Sequence, residues 1–190
     1  MQTNELTRIL GAQYAAVFRM LRTALDACTD ELWDRRDERE APFWAQALHA
    51  IASTHFYLID DLDGAQMNAL CEALSRELQV DAGQGTPPDV PRLRKAMEDL
   101  TRPGAYGSIV LDRAAMLLRL EAAESAARDI LARPERLMNR NIMPWSGPTL
   151  ADRLVYNLRH AQHHIGRLHS ILGRNGIHVP WVMGEFAGSA

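Results

Sequence analysis

Apolar residues recur at threes and fours through every long stretch of this chain, and nowhere do they alternate with polar ones over the length of a strand. That spacing puts the apolar side chains on one face of a helix, and Ala, Leu, Arg and Glu, all good helix formers, dominate the same stretches. Over residues 5–27 the repeating positions are Leu6, Ile9, Leu10, Ala16, Val17, Met20, Leu21 and Leu25. Thr29 and Asp30 read as a cap for a short turn through Trp33, and the polar run 34–40 as a loop. A second helix starts near Pro42, a residue suited to a first turn, and runs to about Leu62, before Asp63-Gly64. Its first ten residues are apolar almost all round, which predicts deep packing. Residues 65–78 read as a further helix, 81–88 as a Gly/Pro-rich loop, and 91–100 as a short helix broken by Arg102-Pro103-Gly104. Another long helix spans 109–132 and ends before Pro134. After the loop 143–148, Thr149 with Asp152 three residues on makes a capping-box pattern. It opens the last helix, which ends near Gly173 to Gly176.

Long helices joined by loops predict an all-α fold, an antiparallel four-helix bundle. The connection between the second and third core helices, 64–107, is long for a minimal bundle, so an elaboration there can roof a cleft or form a partner surface. The chain's 190 residues suit a single domain over 1–190. With 21 basic and 24 acidic residues the formal charge is −3, which argues against a nucleic-acid binder, since that needs a basic face. The positive charge is almost all arginine; Lys95 is the only lysine. Cys28 and Cys71 lie far apart and form no CxxC pair, so neither a disulfide framework nor a cysteine-type zinc site is indicated. The polar opening residues carry no signal peptide, and no apolar run reaches the roughly 18 to 20 residues of a membrane span. The expectation is a cytoplasmic protein that does not enter a membrane.

Four of the seven histidines fall in residues 160–169: His160, His163, His164 and His169. Residues four apart share a helix face, about 5–6 Å between Cβ atoms, so His160 and His164 can reach one ion. Neutral imidazole is a ligand for zinc, nickel, copper and iron. Leu150, Leu154, Leu158, Ala161, Ile165, Leu168 and Leu172 define the core stripe, and the two histidines sit on its flank near Asn157 and Ile171. His163 points away from the core, His169 lies on the opposite flank as a structural residue, and His178 has no evident partner. Ala161 stands where the HExxH zinc proteases carry their general-base glutamate, so protease chemistry is not expected.

A third ligand must come from another helix, and the second offers His49 and His55. His55 shares a face with Trp44, Leu48, Ile51 and Leu62, which makes it the core-facing one. His49 shares a more polar face with Gln46, Ser53 and Tyr57, as a cleft lining would. Periodicity alone leaves the choice open.

Residues 42–58, with His49 ahead of the Tyr57-Leu58 pair, and residues 157–168, with His160, His164 and the small Gly166, resemble the DinB/YfiT-like superfamily of metal-binding bundles. That superfamily is unrelated to the DNA polymerase sharing the DinB name. The resemblance implies a divalent metal ion, zinc or nickel, on His49, His160 and His164. Arg167 departs from it, standing where many members have glutamine. Three protein ligands leave a position open, as in catalytic rather than structural zinc sites.

The resemblance also implies a low-molecular-weight thiol (mycothiol, bacillithiol or glutathione) held as thiolate and directed at an electrophilic substrate, in an S-transferase or isomerase. A non-catalytic metal-binding or stress-response protein is the alternative. A metal-dependent hydrolase is a third reading, with Asp60, Asp61 and Glu121 as the candidate bases. An apolar bundle face, with His163 near it, offers a surface for a homodimer, with a solvated face as the equal alternative.

Overall fold

The computed structural model describes residues 3–59, 65–78, 95, 98–104 and 108–182. It is helical, and among the described residues the only strand-like pairing is an isolated bridge between Arg140 and Thr149. The helices are α1 (Thr3–Ala27), α2 (Asp30–Trp33), α3 (Phe43–Leu58), α4 (Ala65–Leu78), α5 (Arg113–Leu131) and α6 (Leu150–Arg174). None is long and apolar enough to cross a membrane.

The termini follow from side-chain chemistry. Thr29 caps α2 by accepting from the Leu32 amide. Pro42 is the N-cap of α3, and the helix stops at Leu58 rather than running to Leu62, because Ile59 turns into extended backbone. Residues 60–64 lie outside the described set, as do most of the predicted short helix 91–100 and all of the loop 81–88. The helix expected from residue 109 starts later, at Arg113, because Asp112 takes the N-cap and accepts from the Ala115 amide. Thr149 and Asp152 form the reciprocal capping box that opens α6. The loops 134–136 and 144–146 are single 3-10 turns, each begun by a proline.

α1 carries no basic residue in its last turn. Arg113 from α5 supplies one, donating to the carbonyls of Leu25 and Cys28 at the end of α1. Trp33 donates its indole N–H to the Leu111 carbonyl at 2.7 Å, which ties α2 to the start of α5.

α3 packs on both α5 and α6, and α1 packs on the same two helices. α3 is buried almost throughout, as its all-round apolar start predicts, with Phe43, Trp44, Leu48 and Ile51 at its centre. α4 adds Met67, Leu70 and Leu74 to the same core. A buried polar rung crosses it. Asn157 on α6 donates to the Thr54 carbonyl on α3 and to the Tyr14 hydroxyl on α1, both at 3.0 Å. Tyr14 donates its own hydroxyl hydrogen bond to the Leu154 carbonyl at 3.1 Å. The rung joins three helices at one level and fixes how far α3 can slide along α6.

Candidate metal centre

His49 lies mid-way along α3; His160 and His164 lie one turn apart on α6. The seam between the two helices brings all three together. The His164 Nε2 is 3.1 Å from the His49 Nε2 and 3.1 Å from the His160 Nε2. One nitrogen from each ring lies within 4.8 Å of the others. Zinc–nitrogen bonds of about 2.0–2.1 Å in a tetrahedral shell place neighbouring donors roughly 3.3 Å apart, close to these separations. Hydrogen bonding alone satisfies the cluster poorly. A neutral imidazole carries one N–H, so the single His164 Nε2 cannot both donate and accept along its two short contacts. A cation at the point of convergence uses all three lone pairs at once.

The electrostatics favour that use. Burial, then the charge of His49, pushes the His164 imidazole down to about 2, and the same two causes in the same order push His160 down to about 4. Both rings are therefore neutral at ordinary pH, with their lone pairs available. His49 and His164 are 7% and 6% exposed, whereas His160 is half-buried, so the cluster meets solvent on the His160 side. The His160 and His164 Nδ1 atoms are buried without a hydrogen-bond partner. Packing, rather than the usual hydrogen bond to a carboxylate or carbonyl, sets those two rings.

His55 is not part of the cluster. It faces the other side of α3 and lines a hollow of about 590 Å³ with Leu58, Leu70 and Arg119. The periodicity that made it core-facing is satisfied there, half-buried, and burial followed by the Arg119 charge pushes it down to about 4. His163 is exposed as expected, its ring 5.1 Å from that of His164. His169 is half-buried and bonded to the backbone of Met20, a structural role. His178 is exposed.

Among the described residues no carboxylate or thiol joins the three histidines. Glu121 is exposed on α5, away from the α3–α6 seam, and Asp60 and Asp61 lie outside the described set. Cys28 is buried, and desolvation above all pushes its thiol up to about 12, so it is no nucleophile. The side chain of Cys71 is not among those described.

The spacing of the histidines did not single out the aromatic residues around them. Tyr156 sits one turn before His160 on the same face, with ring centroids 6.2 Å apart. Tyr57 comes from α3, 5.8 Å from the His160 ring and 5.1 Å from that of Tyr156. The position four residues before a ligand was the signal for Tyr156. Trp145, on a 3-10 turn, had none, because only the loop's folding brings its indole 3.4 Å from the Tyr57 hydroxyl. Gln46, one turn before His49, is 1% exposed, and neither atom of its amide has a partner.

Fold and cluster together define a helical protein with a three-histidine site between two of its long helices. The family follows from the sequence match: residues 13–168 match the DinB superfamily, and the chain belongs to it. No curated protein and no solved structure gives a significant match.

Proposed function

We propose that His49, His160 and His164 hold one divalent metal ion, zinc or nickel, and that the centre serves a low-molecular-weight-thiol-dependent S-transferase or isomerase. The convergence of three imidazoles, with no fourth protein donor among the described residues, carries this reading. A metal bound there lowers the pKa of a coordinated thiol, so that a nucleophilic thiolate is available at neutral pH. The chain's own part is to hold three donors rigidly and keep the fourth position reachable from the half-buried His160 side. Among the described residues no carboxylate stands with the cluster, and that lack fits a reaction whose nucleophile arrives with the ligand. It fits a metal-dependent hydrolase poorly, because bound water needs a base.

The same lack favours a second reading, a non-catalytic metal-binding protein. The two separate on cobalt-substituted protein. Addition of glutathione, bacillithiol or mycothiol gives a sulfur-to-cobalt charge-transfer band if the first reading holds, followed by turnover of a model electrophile. No band with any of the three thiols overturns it.

The packing of α1 and α3 on α5 and α6 supports reading the chain as one antiparallel four-helix domain of DinB/YfiT type over 1–190, with the connection after α3 as its elaboration. A cytoplasmic location and a homodimer complete the proposal.

A further inference from the structure

The three histidines meet solvent on the His160 side, and aromatic rings stand beside that imidazole. His49 and His164 are buried, so a ligand arriving at the fourth position passes His160. Tyr57 from α3 and Tyr156 from α6 flank that ring at 5.8 and 6.2 Å. Trp145 stands beyond them, its indole N–H directed at the Tyr57 hydroxyl and nearly half of its surface, 48%, open to solvent. A large exposed indole beside two half-buried tyrosines offers π-faces on the way to the cluster.

The rim also carries a positive charge. Arg159 is exposed, with its guanidinium 5.2 Å from the Tyr156 ring centre, and it forms no ion pair with a described residue. The acid closest in sequence on α6, Asp152, is committed to the helix cap, where both Thr149 donors hold its carboxylate below the usual range. Arg159 and Tyr156 together edge a second hollow of about 400 Å³, whose lining also includes the capped Asp152. A ligand lying across Tyr156 therefore has room to extend away from the metal and a cation to meet at its far end.

We infer that Tyr57, Trp145, Tyr156 and Arg159 form the specificity-determining mouth of this centre and select a small molecule that carries an aromatic ring and a negative charge. The inference rests on the three-histidine centre being a binding site, and it names the class of ligand that site takes.

The test uses cobalt-loaded full-length protein and four probes: 4-mercaptobenzoate, thiophenol, 3-mercaptopropionate and 2-mercaptoethanol. The sulfur-to-cobalt band reads the affinity of each. The expected order puts 4-mercaptobenzoate first; because aryl thiols are also the stronger acids, the ring's share, roughly two- to tenfold, is read as the loss on Tyr156→Leu, and the carboxylate's, roughly two- to fivefold and weakened by added salt, as the loss on Arg159→Ala. Arg159→Ala removes the carboxylate preference, and Tyr156→Leu removes the aromatic one. Both variants keep their metal content, and each variant's affinity for 2-mercaptoethanol is the reference against which its other affinities are read. Benzoate, which has no thiol, reads the mouth separately through tryptophan fluorescence, a response that Trp145→Phe and Arg159→Ala abolish. Relative affinities for the four thiols that are the same in the wild type and both variants overturn the mouth and leave the thiolate reading standing. No sulfur band with any thiol, together with an Arg159-dependent benzoate response, overturns the thiolate reading and leaves the mouth. Failure of both signals overturns both.

Discussion

Thr54 and Asn157 fasten α3 to α6 one to two turns from the histidines, through an amide N–H that donates to the Thr54 carbonyl at 3.0 Å. The second N–H of the same amide binds the Tyr14 hydroxyl. Asn157→Ala removes both bonds, leaving the Tyr14 hydroxyl only its bond to the Leu154 carbonyl, and should cost about 1–3 kcal/mol of stability. Because the rung sets the register of the two helices that carry the cluster, metal affinity should fall as well. Urea unfolding and a competitive metal titration check the two effects. Lost stability with unchanged affinity would show that the rung holds the fold but does not place the site.

The metal-free protein should lose stability in mild acid. His164, His160 and His55 take up protons near 6.5 when unfolded, but burial holds them at about 2, 4 and 4 in the folded chain. Below about pH 6.5 the unfolded chain therefore binds more protons, and stability falls as pH drops; above it the three contribute no slope. Urea midpoints on metal-free protein should be flat from pH 8 to 7 and decline from 6.5 to 4.5. A midpoint unchanged down to pH 5 would contradict the burial of these rings.

Gln46 presents a different case. Its amide is buried with nothing to bond. A buried amide without partners destabilises by about 1–3 kcal/mol, and Met is nearly its shape. Gln46→Met should raise the stability of the metal-free protein by about 1 kcal/mol, measured by urea unfolding. A loss of similar size would mean that the amide is satisfied in solution.

The start of α6 depends on one glycine. Gly147 has φ of +120°, and a Cβ there would lie 2.4 Å from the Asp152 Cβ. Gly147→Ala should lower stability by about 1–3 kcal/mol through backbone strain and displacement of the cap. Thr149→Ala should lower it by about 0.5–2 kcal/mol. Since both act on Asp152, the double variant should lose less than the sum. Thermal unfolding of the three variants is the measurement, and strict additivity would contradict the shared cap.

The helices were legible because their signals are local. The three- and four-residue spacing, the Thr149–Asp152 box and the proline breaks each act within a turn, and the structure uses them. Their ends were less legible: the 109–132 reading missed that Asp112, not a residue further upstream, makes the cap. The pair His160 and His164 was legible for the same local reason. His49 against His55 was not, because on an almost wholly buried helix every face is a core face. Burial of the ring facing α6 and of the ring facing α5 differ only in what lies opposite, and that is tertiary information. Family resemblance supplied His49, and the convergence on α6 agrees with it. Gly166, part of that resemblance, is exposed, with open space where its Cβ would be, so packing does not require it.

Metal analysis of the wild type and of His49→Ala, His164→Ala and His55→Ala tests the central claim most directly. Mass-spectrometric metal content of freshly purified protein should be near one equivalent in the wild type and in His55→Ala, and near zero in His49→Ala and His164→Ala. Retention by His49→Ala with loss by His55→Ala, or equal retention by all three, would contradict a centre built on His49, His160 and His164.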